Sequence, residues 1–242
     1  MMAPGGRLAK YALWQFRDFA TEKGISLLII GLLLGFVQLL PFRLPGSPEL
    51  TTERITRIIG TLANTILLIW VFITVNGIIS NDRKLGYYRF LFAKPVRPIQ
   101  YYGQLWLVYL LGLLTALALV SGLFVVFVGR FNVWNLALYA TLLYISLGGI
   151  GFFVSAITKH ELPVLAGIWL GSSVLRAMYG NDTGWKNRAL DLLPPVHIMD
   201  GVAVSLMTTG TADLGRVVWI VGYGLLFVGL GLVVLHRRPL GG

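Results

Sequence analysis

The sequence predicts an all-α integral membrane protein with six transmembrane helices. Of its 242 residues, 56% are hydrophobic and only 12% are charged, whereas soluble domains carry about 25% charged residues. The mean hydropathy is +0.77, and the apolar residues occur in long runs. Because no polar stretch is long enough for a separate soluble domain, residues 1–242 are predicted to form one transmembrane domain.

Residues 7–23 are predicted to form an amphipathic helix that lies in the membrane interface. One arc of this helix is apolar, and most of the charged side chains lie opposite. The apolar arc comprises Leu8, Ala9, Ala12, Leu13, Phe16, Phe19 and Ala20. A soluble helix can show the same pattern, but the apolar run that follows at once favours the interfacial position, with Tyr11 and Trp14 near the headgroups.

Six apolar runs are long enough to cross a hydrocarbon core of about 30 Å. They are predicted at about 24–42, 55–79, 99–128, 133–157, 162–179 and 216–235. The third run is long for such a core, so its helix should tilt or protrude. Pro41 marks the end of the first run, a short hinge at 129–132 follows the third, and a polar turn at 158–161 follows the fourth.

The stretch at 180–215 is predicted to be an outer loop that contains one short helix. Pro195 suits the start of this helix, and Gly210 suits its end. The segment is apolar enough to enter a bilayer, so we interpret it as a re-entrant or interfacial helix. A crossing helix is the alternative, and it would change the number of spans.

The segment at 81–98 combines positive charge with aromatic residues, and it is too polar to span a bilayer. It carries five basic residues in 18 positions. Asp82 is predicted to cap a short helix that Pro95 and Pro98 terminate. Since aromatic residues and arginine are the types that anchor protein interfaces, the segment is predicted to bind another protein. The alternative is a linker that binds lipid headgroups.

The distribution of lysine and arginine predicts the orientation of the chain. With the N-terminus inside, the inner segments hold 12 basic residues and the outer segments hold 8. The 81–98 segment is therefore predicted to be cytoplasmic, as are both termini. The net charge of +10 is attributed to lysines and arginines that face anionic headgroups, and no nucleic-acid partner is predicted.

The residues that are missing exclude several kinds of chemistry. Acidic residues occur only in loops or near the ends of spans, which argues against a proton-driven carrier. The chain has no cysteine, no HExxH motif and no phosphate-binding loop of the GxxxxGK[ST] type. We therefore predict no catalytic residue, no metal site and no cofactor on this chain. Any energy for transport must come from another protein.

Small and polar residues inside the spans predict helix contacts. Gly31 and Gly35, like Gly167 and Gly171, have the GxxxG spacing that lets helices approach closely, but the spacing does not say whether the contacts lie within or between subunits. Three polar residues are candidates for a substrate path: Asn64, Thr65 and Asn76. Hydrogen bonding between helices explains these three about as well.

Two segments carry a family resemblance. Residues 82–96 read Asp-Arg-Lys-Leu-Gly-Tyr-Tyr-Arg-Phe-Leu-Phe-Ala-Lys-Pro-Val, and Tyr-Tyr-Gly-Gln opens the next span at 101–104. This pattern resembles the loop between spans two and three of type-2 ATP-binding-cassette (ABC) exporter permeases, where a coupling helix docks on the ATPase. The outer segment at 194–210 is similar to a proline-led segment of that family, although the family often has Asn-Pro where this chain has Pro194 and Pro195.

The resemblance implies that the chain is a permease subunit in the cytoplasmic membrane of a prokaryote. A separate ABC ATPase subunit would bind ATP and Mg and supply the energy, and a second permease subunit, identical or related, would complete the transporter. The residues implied in ATPase contact are Arg83, Lys84, Leu85, Tyr87, Tyr88, Arg89, Phe90 and Lys94. ATP hydrolysis is expected on the partner and not on this chain.

Two other functions stay open at the level of sequence. One is a membrane enzyme that modifies lipids through loop groups on its outer face, namely Asp182, Asp191, His197 and Asp200. The other is a membrane scaffold that recruits a cytoplasmic partner through the 81–98 segment without transporting anything. The sequence identifies no transported substrate.

Overall fold

The computed structural model describes residues 4–39, 52–86, 97–127, 129–180, 190 and 192–237, with the side chains of α3 described from Asn64 onward. This part of the chain is helical and contains no β-strand, which confirms the predicted all-α class. The α-helices are α1 (Pro4–Phe19), α2 (Ile25–Leu39), α3 (Thr52–Val75), α4 (Ser80–Leu85), α5 (Pro98–Phe127), α6 (Val133–Ile157), α7 (Glu161–Tyr179), α8 (Val196–Thr208) and α9 (Leu214–Arg237).

Five helical segments of the described chain are long and apolar enough to cross a membrane, as expected for a multi-pass membrane protein. They are Asn64–Leu85, Pro98–Phe127, Val133–Ile157, Glu161–Tyr179 and Leu214–Arg237. The predicted third, fourth, fifth and sixth spans match the observed helices within two residues at each end. The first predicted span coincides with α2 as far as Leu39, and its remainder lies outside the described residues. The total of six spans therefore stays a prediction.

The first two helices form one continuous helical rod, because a π-helical segment, Ala20–Gly24, joins α1 directly to α2. The face of this rod that is buried in the protein contains Gln15, Phe19 and Lys23, which are four residues apart. Leu13 and Trp14 are exposed. The predicted helix at 7–23 is thus present, and its exposed apolar residues are compatible with contact with lipid. Its place in the membrane interface stays a prediction.

The contacts of the chain fall into two compact units, each assembled from separated stretches of sequence. The first comprises Met1–Thr74, Gln104–Thr141 and Ala203–Thr211. The second comprises Val75–Gly103, Leu142–Val202 and Ala212–Gly242. Large buried aromatic residues occupy the core of each unit: Phe19, Trp70 and Tyr139 in the first, and Tyr102, Tyr144 and Phe152 in the second.

The helices differ sharply in how much of their surface the protein covers. In the most apolar part of α6, 78% of the residues are buried, against 11% in α7 and 17% in α9. Most of α6 is therefore covered by other parts of the protein, while α7 and α9 present apolar side chains to their surroundings. Gly149 of α6 meets the backbone of Gly224 of α9, where a Cβ on either glycine would collide with the other helix. This close crossing accounts for glycine at both positions.

The predicted short helix of the outer loop is present as α8. It follows Pro195 and ends before Gly210, whose φ of +74° favours glycine. Its 13 residues span only about 20 Å at 1.5 Å per residue, which is too short to cross a bilayer alone. The side chain of Asn135 donates a hydrogen bond to the carbonyl of Leu206 at 2.8 Å, which fixes the end of α8 to the start of α6.

Candidate functional site

The chain turns sharply between α3 and α4, at the base of the 81–98 segment. Helix α3 ends at Val75, four turn residues follow, and α4 begins at Ser80. Gly77 in the turn has a φ of +83°, and Gly86 after α4 has a φ of +71°. Both values lie in the left-handed region, where a side chain costs about 1–2 kcal/mol. We call residues 76–86 the elbow.

Glu161 holds the turn of the elbow from the start of α7. Its Oε1 accepts a hydrogen bond from the backbone N–H of Gly77 at 2.5 Å. The residue is only 1% exposed, and its Oε2 has no hydrogen-bond partner among the described residues. A carboxyl group is thus buried against the turn at which the backbone leaves the helical path of α3.

Ser155, near the end of α6, satisfies the first backbone donors of α4. Its Oγ accepts hydrogen bonds from the N–H groups of Ile79 and Ser80, at 3.1 and 3.0 Å. The first N–H groups of a helix have no partner within that helix, and the N-cap residue Ile79 supplies no side-chain oxygen. A serine of another helix therefore takes the place of a local cap.

The prediction that Asp82 caps the short helix is wrong, because the N-cap is Ile79 and Asp82 lies within the first turn. Its Oδ2 instead accepts a hydrogen bond from the hydroxyl of Tyr102 in α5, at 3.0 Å. Helix α4 ends at Leu85, with Gly86 as its C-cap, and the predicted termination at Pro95 lies outside the described residues. Asp82 thus connects α4 to α5.

Arg83 makes a further connection within the same unit. Its Nη2 donates a hydrogen bond to the carbonyl of Ala156 at 2.6 Å, near the end of α6. A charged donor near a helix C-terminus is favourable because the last carbonyls lack partners. Lys84 and Leu85, in contrast, are exposed, and Leu85 is 64% exposed despite its apolar side chain.

The residues predicted to contact an ATPase therefore divide into three groups. Arg83 is bonded inside the chain, while Lys84 and Leu85 face outward from α4. The others lie outside the described residues: Tyr87, Tyr88, Arg89, Phe90 and Lys94. Their contact with an ATPase stays a prediction.

A second polar cluster, in the first unit, holds the last turn of α3. Nζ of Lys23 donates a hydrogen bond to the carbonyl of Thr74 at 2.7 Å and lies 4.3 Å from the centre of the Tyr109 ring. If the helix continued, the carbonyl of Thr74 would accept a hydrogen bond from the N–H of Ile78. That N–H instead donates to the carbonyl of Val75. Lys23 therefore compensates a carbonyl that the end of α3 leaves without its helical partner.

The three candidates for a substrate path lie in different surroundings. Asn64 accepts a hydrogen bond from the hydroxyl of Tyr139 in α6, so it makes the helix-to-helix bond that the sequence left open as an alternative. Thr65 and Asn76 are exposed. Of the loop groups considered for a lipid enzyme, Asp200 is exposed, while Asp182, Asp191 and the side chain of His197 lie outside the description.

Sequence reasoning missed three residues that fix these elements: Lys23, Ser155 and Glu161. Lys23 was counted only as a basic residue at the membrane surface, and Glu161 only as part of a polar turn. A signal existed for Glu161, since it is the acidic residue of a turn between two predicted spans. Ser155 lies in an apolar run between Val154 and Ala156, and nothing in the sequence marks it.

Comparison with known proteins adds no relative: no protein-family model, no curated protein and no solved structure matches this chain.

Proposed function

We propose that the chain is the membrane-spanning permease subunit of an ATP-driven ABC exporter. In this proposal it crosses the cytoplasmic membrane of a prokaryote six times, with both termini in the cytoplasm. A separate ATPase subunit binds ATP and Mg and docks on the elbow and the residues that follow it. The chain itself hydrolyses no ATP, and it moves a substrate by alternating access.

The observation that carries the proposal is the way in which the elbow is bonded to the membrane helices. Ser155 binds the start of α4, Glu161 binds the turn before it, and Tyr102 binds Asp82. These three side chains come from α6, α7 and α5. A linker that merely rested on headgroups would not need a buried serine and a buried glutamate from two other helices to hold its backbone.

This bonding supports a mechanical role for α4. Interfaces between packed elements switch between discrete arrangements rather than deforming continuously. A force on α4 would therefore reach the ends of α5, α6 and α7 through short hydrogen bonds. In the proposed cycle, closure of two ATPase subunits pushes on two copies of α4, and the helices then switch the path from inward to outward access.

The proposed ATPase surface consists of the outward-facing residues of α4 and the basic and aromatic residues after it. Lys84 and Leu85 are the described members: both are exposed, and Leu85 presents an apolar side chain that a partner would bury. Arg83 is assigned to the internal bond with Ala156, which orients α4 for docking. Tyr87, Tyr88, Arg89, Phe90 and Lys94 complete the surface in the proposal.

A second permease subunit is proposed to pack on α7. Among the residues that the structure describes, none lies within 4 Å of a Cβ added at Gly167 or Gly171 of this helix, whereas Gly31 and Gly35 pack on aromatic rings of the same chain. The open glycine pair lies on a helix that exposes Leu170, among other apolar residues. Small residues on an open face let a second membrane helix approach closely.

The proposal can be tested on tagged protein purified from its native membrane with its partners. A photoreactive ATP analogue should label a co-purifying subunit and not this chain. Lys84→Glu with Leu85→Asp should remove that subunit and the associated ATPase activity, while Lys10→Glu, an exposed lysine on α1, should change neither. Labelling of this chain itself, or full ATPase binding by the double variant, would contradict the proposal.

A transport assay distinguishes an exporter from a membrane scaffold and from a lipid-modifying enzyme. Vesicles that contain the complex should accumulate substrate only when ATP is supplied, which neither a scaffold nor a lipid-modifying enzyme explains. Asp200→Ala should leave this uptake intact, because Asp200 belongs to the enzyme alternative and is exposed. To test the second subunit, Leu170→Cys should form a disulfide-linked dimer in membranes. The cross-link is specific to this position because the chain has no other cysteine.

A further inference from the structure

The C-terminal end of α1 packs against α5 in the first unit. The ring of Phe19 lies 5.2 Å from the ring of Tyr109, and it occupies the space that a Cβ on Gly112 would need. Nζ of Lys23, in the π-helical segment that follows α1, lies 4.3 Å from the centre of the same Tyr109 ring. Gln15, one turn before Phe19, is buried as well. One side of α1 is therefore covered by the protein, and its end is held at one level of α5.

This level of α5 corresponds to a border of the hydrocarbon core. Helix α5 has no charged residue and ends at Phe127. A helix needs about 20 residues to cross the core, so a core that ends at Phe127 begins near Val108. The residues before this point include Gln100 and Gln104, which suit the more polar headgroup layer. Because Tyr109 lies at the border, the end of α1 lies there too.

The side of α1 that faces away from the protein carries apolar, basic and acidic residues in a fixed order. At about 100° per residue, Leu13, Arg17, Trp14 and Asp18 follow one another around the helix. Leu13 is 73% exposed, Trp14 is 49% exposed, and Arg17 is exposed between them. Lys10, about two turns before Arg17, lies on the same side and is also exposed. The surface therefore changes from apolar through basic to acidic within less than half of the circumference.

This order matches the layers that a helix meets at the surface of an anionic bilayer. Leu13 suits the acyl chains, Arg17 suits the phosphates, and Asp18 suits the water beyond them. Tryptophan is enriched at this level of a membrane. The sequence predicted that the arc with Phe19 faces the membrane and that most charges lie opposite. In the structure Phe19 faces the protein instead, and Arg17 is exposed between Leu13 and Trp14.

We propose that α1 binds anionic phospholipid of the surrounding bilayer, with Arg17 on the headgroup phosphate, Leu13 among the acyl chains and Trp14 in the headgroup layer. The guanidinium group presents paired N–H donors that match a phosphate. A lipid with net negative charge is attracted more strongly than a zwitterionic one, so α1 prefers phosphatidylglycerol to phosphatidylcholine. This inference goes beyond the proposed permease function and does not depend on it, because every residue involved belongs to α1.

The first test measures the depth of α1 in the full-length protein, in vesicles of phosphatidylcholine and phosphatidylglycerol. Because the chain has no cysteine, Leu13→Cys and Asp18→Cys each place one nitroxide spin label on α1. The label at position 13 should be the more accessible to oxygen, which concentrates in the hydrocarbon. The label at position 18 should be the more accessible to a water-soluble nickel complex. The reverse order, or a label at position 13 that neither reagent reaches because a protein covers it, would overturn the proposal.

The second test measures the preference for lipid next to α1. A bimane fluorophore on Leu13→Cys is quenched by phospholipids that carry bromine in their acyl chains. The relative binding constant of brominated phosphatidylglycerol should exceed that of brominated phosphatidylcholine by roughly fivefold, and added salt should reduce this ratio. Bimane on Leu226→Cys is the control for position, because Leu226 is exposed on α9. The two lipids should quench it equally.

Variants of Arg17 show whether this side chain is the reason for the preference. Arg17→Gln, combined with Leu13→Cys, should remove most of the difference between the two lipids, whereas Arg17→Lys keeps the charge and should keep part of it. Asp18→Asn is the matched control, since it removes the opposite charge from the next residue and should not lower the preference. Equal quenching by both lipids at position 13, or a preference that Arg17→Gln leaves unchanged in a protein of normal thermal stability, would overturn the proposal.

Discussion

Oε1 of Glu161 lies 2.5 Å from the backbone nitrogen of Gly77, although the two residues are 84 positions apart in the sequence. A carboxyl group at the start of α7 thus accepts the N–H of a left-handed glycine in the turn after α3. This single hydrogen bond ties the base of the 81–98 segment to the fifth predicted span. It is also the contact whose removal should be most informative.

Glu161→Ala should lower the stability of the protein by about 1–3 kcal/mol, because it leaves the buried N–H of Gly77 without an acceptor. Glu161→Gln keeps a carbonyl oxygen at the same position and should lose less. Thermal unfolding in detergent measures both. If the two variants lost stability equally, the acceptor at Gly77 would not be the reason for the glutamate.

Alanine at the two left-handed glycines of the elbow should have unequal effects. Gly86→Ala should cost about 1 kcal/mol through its backbone conformation alone, since no described residue lies within 4 Å of an added Cβ. Gly77→Ala carries the same backbone cost, and its Cβ would also collide with the side chain of Asn81. The midpoint of thermal unfolding should therefore fall further for Gly77→Ala, and the reverse order would refute this explanation.

Ser155→Ala should destabilise the start of α4. Ser155 is fully buried, and its hydroxyl oxygen accepts two backbone N–H groups, which the substitution leaves without that acceptor. The loss should lower the free energy of unfolding by about 1–3 kcal/mol. Ser173→Ala is the matched control, because Ser173 is exposed and bonds only within its own helix. Hydrogen exchange of the amides of Ile79 and Ser80 should rise in the first variant and not in the control. Unchanged exchange would argue against capping by Ser155.

Lys23→Met should weaken the attachment of the N-terminal rod to the end of α3. The Thr74 carbonyl then loses a charged donor at 2.7 Å, for which about 1–3 kcal/mol is expected. Lys10→Met removes an exposed lysine from the same rod and should have little effect. Limited proteolysis near the N-terminus should be faster in the first variant than in the second, and equal rates would contradict the assigned contact.

Two glycines of α9 should respond to alanine with opposite signs. Gly224→Ala should destabilise the protein by about 1–3 kcal/mol, because the added Cβ would meet the backbone of Ile145 in α6. Gly222→Ala should stabilise it by up to about 1 kcal/mol, because alanine favours the helix and the position is open. Thermal unfolding compares the pair, and a loss at Gly222 would indicate a contact with another molecule.

Glycine spacing shows where sequence reasoning stops. The pair Gly31 and Gly35 and the pair Gly167 and Gly171 have the same motif in similarly apolar helices. Yet the first pair packs against Trp70 and Phe124, while the second meets no residue within the described part of the chain. The motif indicates that close packing is possible, but the positions of the other helices determine which glycine pair is packed.

The elbow shows the same limit for secondary structure. The prediction extended the second span to residue 79, since Ile78 and Ile79 are as apolar as the residues before them. The helix instead ends at Val75, because the turn is stabilised by Glu161 and Ser155, which are distant in the sequence. The prediction of Asp82 as the cap is wrong for a related reason: Ser155 accepts the backbone N–H groups at the start of α4, and the carboxylate of Asp82 accepts the hydroxyl of Tyr102 instead.

The sequence by itself determined that this protein is helical, that it is suited to a membrane, and where most of its long helices begin and end. These properties depend on residues that are close together in the sequence: on their summed hydropathy, and on where proline, glycine and charged residues interrupt the apolar runs. The tertiary structure alone decided which polar side chains hold the elbow. Apart from the bond between Tyr102 and Asp82, their hydrogen bonds join residues 73 to 84 positions apart, and no local pattern records which buried donor will meet which acceptor.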